Sequence, residues 1–164
     1  MLRTAELVPE PDAGEELSVI LKGQCHCGNI QITFETAQLP GQLPLRACQC
    51  AFCRAHGAVT AADPSGKLAV HVLDPRMLTR YRFGSGITDF LICTRCGVYV
   101  AATLEVDGVL YGTLNVNVLA ERARLTAAPR PMDYGAETAV TRTRRRRQHW
   151  TPVVWQRSRT PEAF

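Results

Sequence analysis

The sequence has no apolar run long enough to cross a membrane. VYVAATL, among the longest, is strand-sized and bounded by glycine or charge, well short of the roughly 20 residues a spanning helix needs. It also lacks the basic start and hydrophobic segment of a secretory leader: MLRTAELVPEPDAGEE opens with five acids and two prolines before any apolar run. A soluble, cytoplasmic chain is the expectation, with no membrane partner. No fixed long period repeats, and no pattern supports a helix of more than two turns. A broad basic surface is missing as well. The net charge is +4, but Arg142, Arg144, Arg145, Arg146 and Arg147 fall within six residues, and without those five the 19 basic residues drop to 14 against 15 acidic ones. No aromatic residue interrupts that run to stack on bases, so it reads as a solvated, disordered end rather than a nucleic-acid site.

What is present is a series of short alternating segments. LSVILKG, NIQITFE with Ile30, Ile32 and Phe34 on one face, LAVHV, LTRYRFG and DFLIC all carry the period of strands. VYVAATLEV and VLYGTLNVNVL flank Asp107-Gly108, a dipeptide suited to a tight hairpin turn. Only the Cys53 to Gly57 region and DPRML suggest short helical pieces. The expectation is an all-β, antiparallel architecture. It comprises an N-terminal extension over 1–16, one β domain over 17–119, and a C-terminal extension over 120–164 that carries the arginine run.

The seven cysteines are grouped: Cys25 and Cys27 in GQCHCGN, Cys48, Cys50 and Cys53 in ACQCAFCR, and Cys93 and Cys96 in ICTRCGV. A disulfide framework does not suit an odd number, a reducing compartment and partners two residues apart. Buried structural thiols would be scattered along strand faces rather than gathered at turns beside Gly28 and Gly97. Metal binding explains the grouping, because short loops can present two soft sulfurs to one ion. CTRCG has the form of a zinc knuckle, which supplies two ligands. CHCG is the remaining pair, so Cys25, Cys27, Cys93 and Cys96 make a closed, structural tetrathiolate site whose metal adds to folding free energy.

Three cysteines are left over. Structural zinc takes four protein ligands, whereas catalytic zinc commonly takes three and keeps a position open. Cys48, Cys50 and Cys53 therefore suggest an open site. A second possibility is a closed Cys3His site completed by His56, three residues after Cys53. A Cys53 nucleophile with His56 as base would leave Cys48 and Cys50 unexplained. His26 reads as an outward-facing turn residue, His71 as a strand position and His149 as part of the tail.

Three stretches, GQCHCGNIQITFE (23–35), CQCAFCRAHGA (48–58) and RYRFGSGITDFLICTRCGVYVAA (80–102), resemble the glutathione-dependent formaldehyde-activating enzyme family. Its zinc-binding domain also occurs in centromere protein V. The resemblance runs from about Leu17 to Leu119, with Gln49 and Ala51 standing where members commonly show His and Ser. It implies a β-rich fold of the Mss4-like or β-tent kind with two zinc ions. One would be structural on the four paired cysteines, and the other would be open on Cys48, Cys50 and Cys53, the catalytic group. The implied activity is a carbon–sulfur lyase type, joining glutathione or a related small thiol to formaldehyde. Arg54 is the expected substrate-binding cation, with Arg46 and Arg95 behind it. The alternative is a zinc-stabilised binding module without catalysis.

Overall fold

A computed structural model describes residues 18–156; the expected extension over 1–16 lies outside them. The strands are β1 (Val19–Gln24), β2 (Ile30–Thr36), β3 (Arg46–Cys48), β4 (Thr60–Ala61), β5 (Lys67–Val72), β6 (Leu78–Tyr81), β7 (Asp89–Cys93), β8 (Tyr99–Val106), β9 (Val109–Asn115), β10 (Arg130–Met132) and β11 (Thr151–Gln156). Two α-helices interrupt them, α1 (Ala51–Ala55) and α2 (Ala139–His149). The alternating segments become strands as their period requires: on β2, Ile30, Ile32 and Phe34 are buried together. Asp107 and Gly108 both take positive φ, 51° and 77°, and close the β8–β9 hairpin in the mirror-image turn geometry that matches strand twist.

The sheet runs β1-β2-β5-β11-β9-β4-β3-β10, and a second branch, β6-β7-β8, joins at β9. It is mostly β with few helices, as expected, but mixed rather than purely antiparallel, because β10 lies parallel to β3 and β11 parallel to β5. Strand β11 joins the two parts of the molecule. Thr151 and Pro152 pair with β9, whereas Val153 to Gln156 pair with β5. The stretch read as an extension from residue 120 thus supplies β10, α2 and a strand between two others.

Two apolar clusters result. One gathers Leu21, Ile30, Phe34, Val70, Leu91 and Val100; the other gathers Cys53, Phe90, Tyr99, Ala102, Leu104 and Trp150. β8 is buried without interruption from Tyr99 to Leu104 because its side chains feed both clusters, Val100 and Ala101 the larger and Tyr99, Ala102 and Leu104 the smaller.

Helix α2 corrects two expectations, that no helix exceeds two turns and that the arginine run is a disordered end. Thr138 caps it, its Oγ1 accepting from the Thr141 N–H at 3.2 Å. Arginine is a good helix former, and Arg146 and Arg147 in the last turn suit the negative end of the helix dipole. The helix has no apolar stripe to find in a sequence. Its inner face is made of guanidinium groups held by specific partners.

Candidate metal centres and the cavity beside them

The first site forms where the β1–β2 turn meets the turn after β7. Gly28 and Gly97 follow the second cysteine of each pair with φ of 82° and 73°, a conformation that glycine adopts without strain. The Gly28 N–H donates to the Cys25 carbonyl at 2.9 Å, and the Gly97 N–H to the Cys93 carbonyl at 2.8 Å, so both loops curl alike. The sulfurs of Cys25, Cys27, Cys93 and Cys96 all lie within 4.8 Å of one another. Cys25 and Cys27 are 3.7 Å apart, and Cys27 and Cys93 3.5 Å. Four sulfurs around one zinc would be ~3.8 Å apart along a tetrahedral edge, given Zn–S of ~2.3 Å. The donor set therefore fits a soft divalent ion.

The second group sits at the end of β3. Gln49, on the loop after Cys48, donates its backbone N–H to the Met132 carbonyl on β10 at 2.9 Å. Cys50 caps α1, its sulfur accepting from the Cys53 N–H at 3.4 Å. The sulfurs of Cys48, Cys50 and Cys53 again fall within 4.8 Å of one another, and among the described residues no histidine or carboxylate joins them. His56 is exposed at the end of α1, its Nδ1 2.9 Å from the Phe52 carbonyl. His26 is exposed in its turn, His71 lies on β5 and His149 ends α2. All seven cysteines are free thiols.

The electrostatics of both groups favour at least one thiolate. A hydrogen bond from Cys53 brings Cys48 down to about 6, overcoming burial, with help from the Arg146 charge. Cys53 moves up through the same hydrogen bond, then through burial. In the four-sulfur group burial raises Cys25 and takes Cys93 to about 12. Burial also works against Cys96, but backbone hydrogen bonds from Val98 and Cys27 outweigh it and bring Cys96 to about 6. Metal binding requires the deprotonated form.

The three-sulfur group opens onto a cavity of about 240 Å³ that the four-sulfur group does not reach. Phe83, Phe90, Tyr99 and Trp150 give it aromatic walls. Phe52, between Cys50 and Cys53, packs its ring 4.7 Å from Phe90 and 5.2 Å from Tyr99, which seats α1 on β7 and β8. Tyr99 is held by the buried Asn115 amide, which donates to its carbonyl at 2.9 Å. Burial, followed by the negative sulfurs, keeps its phenol protonated.

Arg54 is exposed on α1 and does not line this cavity, and Arg95 is exposed in the knuckle. Arg46 does line it. The remaining cations come from α2: Arg142, Arg145 and Arg146. The spacing of four residues from 142 to 146, with 145 alongside, was the one available sign that these arginines share a helix face.

Comparison with known proteins gives one family match and one solved structure. The sequence profile described as glutathione-dependent formaldehyde-activating enzyme matches residues 20–134. Among solved structures, a Rhodobacter sphaeroides protein determined by structural genomics is 31% identical over 60% of this chain and 87% of its own, with a TM-score of 0.43. No curated protein matches the chain.

Proposed function

Since the chain belongs to the glutathione-dependent formaldehyde-activating enzyme family, we propose that its aromatic cavity joins a small thiol such as glutathione to formaldehyde. In reverse this is a carbon–sulfur lyase reaction. One observation carries the reading: three sulfurs meet at the cavity with no fourth ligand-type side chain among the described residues, whereas the other four close on themselves. An open coordination sphere is what a reactant can use.

In this reading Cys25, Cys27, Cys93 and Cys96 hold a structural zinc, and Cys48, Cys50 and Cys53 hold a second one. Bound there, zinc would supply the Lewis acidity that lets an incoming thiol lose its proton at neutral pH. The residues of the chain do the rest. Phe83, Phe90 and Trp150 exclude water, which favours the free carbonyl form of formaldehyde over the hydrate that predominates in bulk water. In the addition, the sulfur lone pair forms a C–S bond to the carbonyl carbon, the π pair moves to oxygen, and oxygen takes a proton equivalent to the one the thiol gave up. The lyase direction returns that proton and breaks the same bond. Seven cysteines without a disulfide, all given to zinc in this reading, suit the reducing cytoplasm, where we place the protein.

The test combines metal analysis with exchange spectroscopy. Purified protein is expected to carry two zinc ions and to accelerate exchange between free formaldehyde and S-hydroxymethylglutathione. Cys53→Ser should retain one ion and lose the acceleration. Two bound ions with no acceleration by the intact protein would favour a binding module instead.

A further inference from the structure

Helix α2 lies beyond the residues that match the family profile, 20–134, yet it forms one wall of the thiol cavity. Its arginines are not equivalent. Arg145 is engaged by Glu137 in two-point geometry, Nε donating to Oε1 at 2.6 Å and Nη2 to Oε2 at 2.9 Å. The Arg142 Nε lies 3.5 Å from the same carboxylate. Arg147 faces away, paired with Asp107 at 3.0 Å. Arg146 has no such neutraliser. Among the described residues its one side-chain hydrogen bond goes to the neutral Thr88 hydroxyl, and its Nε is buried without a partner. Arg46, also on the cavity wall, has neither a side-chain hydrogen bond nor an ion pair among the described residues. Among the described residues the cavity wall contains one carboxylate, Asp133, whose Oδ1 accepts the Gly135 N–H.

The Arg146 guanidinium is nonetheless fixed. It lies over the Trp150 ring at 4.5 Å, and Thr88 anchors its end, so its rotamer is set before any ligand arrives. Taking such a charge out of water is unfavourable unless an acceptor returns the lost interactions. Three thiolates on a divalent ion would carry one net negative charge, enough to balance one of the two cavity guanidiniums that lack an acidic partner, Arg146 and Arg46, and leaving the other for a ligand anion.

Building on the reading of this cavity as a thiol-adduct site, we propose that Arg146 and Arg46 hold the carboxylate of the reacting thiol beside Cys48, Cys50 and Cys53. The cavity thereby selects anionic thiols, or their aldehyde adducts, over neutral ones. Its volume of about 240 Å³ is below the usual range for drug-sized ligands, so it takes the sulfur and one nearby carboxylate, while the rest of a larger thiol such as glutathione stays outside. Arg146 is a specificity residue in this scheme: it touches the substrate away from the carbon that reacts.

Calorimetric titration of the full-length, metal-loaded protein tests this with 3-mercaptopropionate against 2-mercaptoethanol. The carboxylated thiol is expected to bind at least about tenfold more tightly, as loss of a charge-assisted hydrogen bond implies. Arg146→Gln should abolish that preference with metal content and circular dichroism unchanged, and Arg146→Lys should keep part of it. If Arg146→Gln fails to fold, Arg46→Gln is the second variant, expected to narrow the preference severalfold. Equal affinity of the wild type for the two thiols, or a preference that survives both Gln variants, overturns the anion subsite and leaves the thiol site standing. Binding of neither thiol overturns both readings. Loss of metal in folded Arg146→Gln with the preference intact shows that the arginine merely balances the sulfur charge, and rejects the proposal.

Discussion

Glu137 shows how a single residue organises the cavity wall. Its carboxylate accepts from Arg145 and lies beside Arg142, while the Arg145 guanidinium stacks 3.7 Å above the Tyr134 ring. The Arg145 hydrogen bond holds Glu137 below its ordinary value of 4.5 against the opposing effect of burial. A carboxyl with a depressed folded-state pKa contributes its full stabilisation above the unfolded value and loses it as pH falls through the folded one. Wild-type melting temperature should therefore drop as pH is lowered below 4.5, and Glu137→Gln should be less stable at pH 7 but flatter across that acid range. Parallel curves for the two proteins would show that the ion pair contributes nothing. None of this could be read from the letters PMDYGAET, because a glutamate eight residues before an arginine becomes its partner only once the helix has formed.

Elements differ in how openly they announce themselves. β2, β5, β7, β8 and β9 were legible because each alternates or runs apolar against a core. α2 was not, because its inner face consists of arginines positioned by Glu137, Thr88 and the Trp150 ring rather than an apolar stripe. β11, TPVVWQ, has a strand-like pattern, but nothing local says that it fits between β5 and β9. That position makes it indispensable, since removing it leaves two strands with unpaired edges in the middle of the sheet. A chain ending at Glu137 lacks both α2 and β11 and is expected to show no cooperative unfolding transition by circular dichroism. A truncated protein that melts sharply near the wild-type temperature would relegate the C-terminal part to an appendage.

At the scale of the molecule the two sulfur groups occupy different places. Cys25 and Cys93 are fully buried in the larger apolar cluster and join turns 66 residues apart, as the 3.5 Å approach of Cys27 to Cys93 shows. Cys53 belongs to the smaller cluster beside the cavity. If the first group holds a structural ion, its loss releases a long loop and a buried ligand set together. Cys93→Ser is then expected to destabilise by roughly 4 kcal/mol or more, whereas Cys53→Ser costs about 1–2 kcal/mol. Chelation should reproduce the larger loss in the wild type, and urea denaturation measures all three. Equal destabilisation by the two substitutions would contradict the division of roles.

The sequence by itself determined the strand content, the tight turn at Asp107-Gly108 and the grouping of the sulfurs, because each depends on neighbours within a few residues: side-chain period, backbone dihedral preference, and ligand spacing on one loop. Only the tertiary structure decided which strands lie parallel, that β11 joins both parts of the sheet, and that Arg146 rather than Arg54 faces the three sulfurs. These depend on pairings between residues tens of positions apart. Such pairings are chosen by the total burial and charge balance of the folded chain, which no local pattern encodes.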